Sequence, residues 1–252
     1  MALNLRLSLR IHLAAFFITG CGYTVIPPIL HKCQAVIVVD KTNSVSYIAR
    51  LPKLQVELSN NLYRTYACAT KNILCSRLVI TGGTRVFPDR DYFNEEHPEG
   101  DEDSRIYQQN LQRWSTAKRK WISDEVEQVV SLIQNPCHSN STDIFSIFSG
   151  IQQVQDTDGH WDSVNVYIFS DMINTSHQLN MISGINDGNA EKKGKIECQH
   201  MIEQGKISKE NIDNLYLTIY TPDNLENSNK VNQFWKGFFD QWGLSRNHYR
   251  FE

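Results

Sequence analysis

Four short apolar runs recur along the chain, and each is bounded by polar or glycine residues. The runs cover residues 35–39, 78–81, 164–169 and 215–220. They are rich in β-branched and aromatic side chains, and the run at 35–39 is apolar without interruption. An uninterrupted run of this kind is typical of a strand that is buried on both faces of a sheet. The sequence therefore predicts four interior strands, and the first of them ends at Asp40.

Between these runs, apolar residues recur at helical spacing. Helices are expected over residues 54–62, 106–133, 144–154 and 231–242. The long 106–133 stretch fits one helix or two, and it ends at Asn135-Pro136. Strands that alternate with helices are connected by right-handed crossovers and form parallel sheets. We therefore predict an α/β fold: a Rossmann-like, doubly wound, mainly parallel sheet with helices on both faces.

The N-terminal residues have the order of a secretory signal peptide. Arg6 and Arg10 precede an apolar run at 13–18, and Ile18-Thr19-Gly20-Cys21 follows. This tetrapeptide resembles a bacterial lipobox, whose cysteine is acylated and becomes the first residue of the mature protein. An alternative is a buried N-terminal strand or helix in which the cysteine occurs by chance.

The signal-peptide reading defines the expected domains and location. Residues 1–20 are the signal peptide, Cys21 is lipidated, residues 21–33 form a tether, and residues 34–252 form one domain. A diacylglycerol and an N-acyl chain together anchor a protein stably to a membrane. We expect an exported lipoprotein of the bacterial cell envelope that faces the periplasm, at the outer membrane if the cell has two membranes.

Composition and charge narrow the classes of partner. The chain has 252 residues, 40% of them apolar, which is enough for one sizeable core. Its 25 basic and 28 acidic residues give a net charge of −3, so it lacks the basic field of a nucleic-acid-binding protein. Nucleic acid is therefore excluded as an expected partner. Eight acidic residues fall within residues 89–103, where a solvated loop is expected and a cation- or partner-binding surface is the alternative.

The cysteines fit an exported protein but leave their pairing open. Without Cys21 the remaining set is odd in number, and it comprises Cys33, Cys68, Cys75, Cys137 and Cys198. Cys68 and Cys75 are expected to form a local disulfide, although sequence alone does not fix connectivity. Cys137-His138 and Cys198 near His200 lack a C-x-x-C partner and are expected in polar loops, so no structural zinc is predicted.

Oxygen-bearing side chains cluster where the first and third strands end. Asp40 and Asp171 follow these strands, and Thr142 opens a predicted helix. Because function in parallel sheets gathers at the carboxyl ends of the strands, we expect all three at one rim. Thr42 and Ser44 follow Asp40 at alternate positions of a turn, where their hydroxyls can point to the same side. Carboxylates and hydroxyls are the ligands that Mg²⁺ prefers.

These residues resemble a known family. The segments VVDKTNS, STDIFSIFSGI and VYIFSDM, in this order, are similar to the metal-ion-dependent adhesion site of von Willebrand factor A domains. The closing FWKGFFDQWG also resembles the last helix of bacterial members. The resemblance covers roughly residues 34–243, and its fold is the vWA-like version of the sheet predicted above.

The resemblance implies a role for each residue. Thr42, Ser44 and Thr142 would coordinate Mg²⁺, Mn²⁺ or Ca²⁺, while Asp40 and Asp171 would hold the ion mainly through water. The open coordination position would accept an acidic side chain from a partner protein, and binding would shift the last helix. Thr42 stands where serine is commoner, and Lys41 adds a positive charge beside the ion. The expected function is thus cation-dependent protein binding, with no enzymatic activity.

Two other functions remain open. Haloacid-dehalogenase-like phosphatases and phosphotransferases also place a nucleophilic aspartate after a first buried strand, so Asp40 is a candidate nucleophile. Against this reading, Thr42 replaces the usual general acid two residues later, and the GIND sequence at 184–187 lacks the preceding Gly-Asp of the related ATPases. A structural envelope lipoprotein with a vestigial metal site is the third alternative.

Overall fold

The computed structural model describes residues 31–41, 50–67, 69–80, 89–135, 142–157, 160–176, 179–221 and 228–252. The strands within these residues are β1 (His31–Asp40), β2 (Ala69–Ile80), β3 (Asp89–Phe93), β4 (Ser163–Phe169), β5 (Leu215–Tyr220) and β6 (Tyr249–Phe251). The helices are α1 (Leu51–Thr65), α2 (Arg105–Gln134), α3 (Phe145–Thr157), α4 (Met181–Gly184), α5 (Ala190–Glu203) and α6 (Ser228–Trp242).

The strands form one sheet in the order β3-β2-β1-β4-β5-β6. All neighbouring strands are parallel except β3, which pairs antiparallel with β2. Helix α1 connects β1 to β2, whereas α5 and α6 connect β4 to β5 and β5 to β6. The strand order reverses direction between β1 and β4, which is the topology of a doubly wound sheet. The predicted α/β fold class is confirmed.

Helices cover the two faces of the sheet unequally. On one face, apolar residues of β1 and β4 pack against α1 and α2, with Leu58 of α1 and Val126 of α2 both buried. On the other face, α3, α5 and α6 form a larger core that includes Ile147, Phe148 and Trp235. Because α5 and α6 both lie on this second face, no described helix crosses β5 and β6 on the first face. The described helices thus leave part of the sheet uncovered.

Two strands were not predicted from the sequence. Residues 89–93, expected within a solvated acidic loop, form the edge strand β3, whose Asp91 pairs with Cys75 of β2. The helix at FWKGFFDQWG, expected to be the last element, is followed by β6, whose Arg250 pairs with Thr218. Both strands lie at sheet edges, where polar side chains are common because one side is exposed to solvent. Their sequences therefore lack the apolar signal of interior strands.

Helix α2 runs as a single helix from Arg105 to Gln134, which settles the choice between one helix and two. The Ser104 hydroxyl accepts a 3.1 Å hydrogen bond from the Tyr107 amide and caps its first turn. None of the helices in the described ranges is long and apolar enough to cross a membrane.

The cysteines differ from the expectation. Cys75 is a buried free thiol, so the predicted Cys68–Cys75 disulfide is not formed. Its position on β2 places it in the core between the sheet and α2, where Glu125 also lies. Cys198, which was expected in a polar loop, lies buried in α5, while His200 is exposed on the same helix.

Helices α5 and α6 are in direct backbone contact through two glycines. A Cβ atom added to Gly194 of α5 would overlap the Phe234 carbonyl oxygen of α6. A Cβ atom added to Gly237 of α6 would likewise overlap the Glu191 carbonyl oxygen of α5. Both positions therefore require glycine because any side chain would push the two helices apart.

Candidate functional site

Asp40 ends β1 at the carboxyl edge of the sheet and is almost completely buried, at 5% exposure. The register pairs Val39 with Phe169, so Asp40 lies beside Ser170, the first residue after β4. The Ser170 hydroxyl donates a 2.7 Å hydrogen bond to Asp40 Oδ2 and accepts a 2.9 Å hydrogen bond from the Met172 amide. A serine at this position thus orients the Asp40 carboxylate.

The loop after β4 is held in one conformation by several hydrogen bonds. Asp171, which is 1% exposed, accepts a 2.9 Å hydrogen bond at Oδ1 from the Ile173 amide. Met172 adopts a left-handed backbone conformation with φ of 57°, which is unusual for a residue with a side chain. The Met172 carbonyl accepts a 2.8 Å hydrogen bond from the indole nitrogen of Trp235 in α6. The last long helix is therefore tied directly to this loop.

Thr142 joins the same loop from the start of α3. Its amide donates a 2.8 Å hydrogen bond to the Thr175 hydroxyl, and its carbonyl accepts a 3.0 Å hydrogen bond from the Thr175 amide. The buried Asn174 side chain accepts a further 2.9 Å hydrogen bond from the Ile144 amide. Asp40, the 170–175 loop and Thr142 consequently form one continuous hydrogen-bonded rim above β1 and β4.

The other predicted site residues lie outside the described residues: Thr42, Ser44 and the lipidation candidate Cys21. Lys41 is described and is half-buried next to Asp40. The rim as described therefore contains Asp40, Thr142 and Asp171 of the expected metal-binding residues.

The described side chains supply oxygen atoms for a hard cation. Asp143, next to Thr142, has a buried carboxylate oxygen, Oδ1, to which no described residue donates a hydrogen bond. A buried carboxylate oxygen without a donor is costly unless a cation or water satisfies it. No group of three His, Cys, Asp or Glu side chains suited to a metal exists among the described residues. With the described residues alone, a cation here would thus depend on hydroxyl groups as well as on carboxylates, and oxygen ligands of this kind suit Mg²⁺.

The sequence analysis did not predict that Asn174 and Thr175 belong to this rim. It also did not predict the hydrogen bond from Ser170 to Asp40. The only signal of these residues in the sequence is a run of short polar side chains, Ser170-Asp171-Met172-Ile173-Asn174-Thr175-Ser176, directly after an apolar strand. Such runs favour side-chain hydrogen bonds to the backbone of turns. Which of these side chains contacts which partner depends on the fold and cannot be read from their order.

Comparison with known proteins leaves the family open. No family model and no curated protein matches the sequence significantly. Among solved structures, the human COPII-coat protein Sec24c superposes with a TM-score of 0.39 at 9% sequence identity. The superposition covers 81% of this chain and 28% of that one.

Proposed function

We propose that this chain is an exported, lipid-anchored vWA-like protein that binds a protein partner through a divalent cation at the rim. The observation that carries the proposal is the hydrogen-bonded rim, which connects Asp40, Asp171 and Thr142 from three separate segments. These three residues correspond in type and order to the carboxylates and the threonine of the adhesion site that the sequence resembles.

The proposal assigns a part to each residue. The hydroxyls of Thr42, Ser44 and Thr142 would hold Mg²⁺ or Mn²⁺, with Asp40 and Asp171 supporting it through water. When bound, the cation supplies an open coordination position for a carboxylate of the partner. Ser170 keeps the Asp40 carboxylate oriented. Since Asp40 and Asp171 are both buried, their negative charges are weakly screened and favour a cation at the rim.

Calorimetric titration of the full chain with Mn²⁺ and Mg²⁺ tests the site. Thr142→Val should weaken cation binding by about tenfold or more, because it replaces a ligand oxygen with a methyl group. Thr142→Ser keeps the oxygen and should preserve binding. Asp171→Asn should also weaken cation binding, because it removes one of the supporting carboxylates, and Asp124→Asn, which removes an exposed carboxylate of α2, is its charge-matched control.

Partner recognition is tested with short peptides that carry one Asp or Glu, compared with Asn and Gln versions. The acidic peptides should bind only in Mn²⁺ or Mg²⁺ and should be released by a chelator. Absence of cation binding by the wild-type chain, or peptide binding that persists in chelator, would exclude the proposed mechanism and leave a structural envelope protein.

The predicted export signal and Cys21 belong to the proposal as well. Cells that express the chain with Cys21→Ser should lose lipid labelling of the protein and its membrane attachment. Unchanged fractionation of this variant would remove the lipid anchor from the proposal without affecting the rim.

A second candidate is phosphoryl transfer through Asp40, and the contact between Ser170 and Asp40 is the observation that favours it. An Asp40 carboxylate oxygen would attack the phosphorus of a phosphate ester, release the alcohol and then lose the phosphoryl group to water. Hydrolysis of a chromogenic phosphate ester that Asp40→Asn abolishes would support this candidate. Failure of beryllofluoride to bind would count against it.

A further inference from the structure

A groove lined mostly by polar residue types lies on the part of the sheet that α1 and α2 leave uncovered. It encloses about 570 Å³ and is bounded by β4, β5, β6 and the C-terminal end of α1. This volume falls within the range of about 300–1,000 Å³ that is usual for small-molecule sites. The groove lies near the amino ends of β4 and β5, at the opposite end of these strands from Asp40 and the 170–175 loop.

The sheet face changes character where the groove begins. Under α1 and α2, this face is apolar, with Ala35, Ile37 and Val39 of β1 in the core. Toward β4 and β5, the same face carries hydroxyls and amides, since side chains at alternate positions of a strand share a face. These polar residues are Ser163, Asn165, Tyr167 and Thr218. A sheet face that packs against a helix is normally apolar. The hydroxyl and amide side chains on this part of the face therefore favour a polar ligand over another helix.

The floor of the groove is a network of buried polar side chains. Tyr167, at 4% exposure, has its hydroxyl 2.6 Å from the Thr65 hydroxyl, and it donates a 3.3 Å hydrogen bond to the Asn61 carbonyl. The Asn61 amide in turn donates to the Tyr220 hydroxyl. Asn61 and Thr218 are also more than nine-tenths buried. This network fixes the polar floor before any ligand arrives.

Two guanidinium groups bound the floor from different elements. Arg64 lies in the last turn of α1 and Arg250 lies on β6, and both line the groove. Burial raises the pKa of Tyr167 to about 12, while the charges of Arg250 and Arg64 oppose the rise. Both side chains line the same groove as Tyr167. Arginine is well suited to carboxylate and phosphate because its donors form a planar fork.

The groove also contains acidic and aromatic groups. The Arg250 guanidinium forms a 2.8 Å ion pair with Glu252, and Asp162 accepts a 2.8 Å hydrogen bond from the Lys32 amide. At the end near β6, the rings of Tyr216 and His248 lie 4.5 Å apart, and Tyr216 is 39% exposed. An exposed aromatic ring offers an apolar face to a cyclic ligand.

We propose that this groove binds an acidic sugar, that is, a pyranose-sized ring bearing one carboxylate or phosphate group. Arg64 and Arg250 bind the anionic group, Tyr216 contacts the ring face, and Asn165 and Asn247 meet the ring hydroxyls. The two guanidinium groups indicate an anionic ligand, because they can pair with a carboxylate or phosphate. The asparagine side chains of the wall indicate a ligand with several hydroxyl groups, because amides both donate and accept hydrogen bonds. The site is independent of the cation proposed at the rim.

The test is calorimetric titration of the full chain with four probes: a glucuronate-containing disaccharide, a sugar 6-phosphate, the matching neutral disaccharide and inorganic phosphate alone. At least one acidic sugar should bind at least about tenfold more tightly than the neutral sugar, a ratio that corresponds to one charge-assisted contact. Arg64→Gln and Arg250→Gln should each weaken this binding about tenfold. Arg105→Gln removes an exposed charge outside the groove and should leave binding unchanged.

Tyr216→Ala should weaken binding of the sugars and leave any binding of inorganic phosphate unaffected, which separates recognition of the ring from simple attraction of an anion. Circular dichroism and melting temperature confirm that each variant folds. Equal affinity for acidic and neutral sugars, binding of none of the sugars, or insensitivity to both arginine substitutions would each overturn the proposal. Sugar binding should persist in chelator and in Asp40→Asn, so its outcome is separate from that of the rim.

Discussion

Ser170 Oγ lies 2.7 Å from Asp40 Oδ2 and joins the carboxyl ends of two neighbouring parallel strands, β4 and β1. The contact is buried, and the same hydroxyl accepts a hydrogen bond from the Met172 amide. One side chain thus fixes both a carboxylate and the turn that follows the neighbouring strand.

Replacing Ser170 with Ala should lower the free energy of unfolding by about 1–3 kcal/mol, because a buried carboxylate loses a donor. Urea unfolding followed by circular dichroism measures the change. Ser123→Ala, on the exposed side of α2, is the matched control and should change stability by less than about 0.5 kcal/mol. Equal stability of the two variants would show that the Ser170 contact contributes nothing to folding.

Trp235 and Trp242 allow a paired test of the link between α6 and the rim. Both are fully buried in α6, and each indole nitrogen donates to a carbonyl: Trp235 to Met172 at 2.8 Å and Trp242 to Ser208 at 2.7 Å. Replacing either with Phe should cost about 1–3 kcal/mol of stability, since a buried acceptor loses its donor. Of the two variants, only Trp235→Phe should also weaken Mn²⁺ binding, because Trp235, unlike Trp242, donates a hydrogen bond to the loop that contains Asp171. Similar Mn²⁺ affinities in the two variants would contradict this link.

Glu125 of α2 should make stability depend on pH in the opposite sense to ordinary acid denaturation. Its pKa is raised from 4.5 to about 7, chiefly by burial; Asp91 adds to the rise, whereas Cys75 and Arg77 oppose it. The Arg77 guanidinium lies 2.8 and 2.9 Å from the two Glu125 oxygens, so the carboxylate is paired when it ionises. The folded state still binds the proton more tightly than the unfolded chain.

A raised carboxyl pKa stabilises the folded state fully below about pH 4.5, and this stabilisation is lost as the pH rises through about 7. Other carboxylates also titrate, so the measured quantity is the difference in unfolding free energy between wild type and Glu125→Gln. Relative to the variant, wild type should lose about 1–3 kcal/mol between these two pH values. A difference that stays constant, or that grows in favour of wild type, would contradict the raised pKa.

Gly194→Ala should destabilise the protein by about 1–3 kcal/mol or more, because the new methyl group would overlap the Phe234 carbonyl. Gly150→Ala is the control within helix α3, where a Cβ atom would make ordinary contacts of 3.7 and 3.8 Å with Leu78. That substitution should be neutral or should stabilise by up to about 1 kcal/mol, through the higher helix propensity of alanine. Thermal unfolding of both variants measures the contrast, and similar melting temperatures would rule out the close contact between α5 and α6.

The strands that could be predicted from the sequence are the interior strands of the sheet, which have other strands on both edges. Residues 35–39 are apolar at every position because helices cover both faces there, and in residues 164–169 the face under α3, α5 and α6 carries only apolar side chains. Strand β3 carries Asp89, Arg90 and Asp91 at a sheet edge, and its pairing with β2 comes from the fold and not from an apolar pattern of its own. Local sequence therefore predicts interior strands better than edge strands.

The candidate site could likewise be predicted from the sequence only in part. Asp40 and Asp171 could be placed at the rim because the carboxyl ends of parallel strands lie together. The hydrogen bond from Ser170 to Asp40 and the pairing of Thr142 with Thr175 connect residues far apart in sequence, and they depend on the path of the loop after β4. The groove between β4 and β6 could not be predicted either, because it exists only where α1 ends short of the outer strands.

The glycine contact between α5 and α6 limits how the molecule can respond at its rim. With the two backbones touching at Gly194 and Gly237, α6 cannot slide or rotate past α5 without separating from it. A displacement of α6 that begins at the Trp235–Met172 hydrogen bond would therefore be expected to move α5 as well.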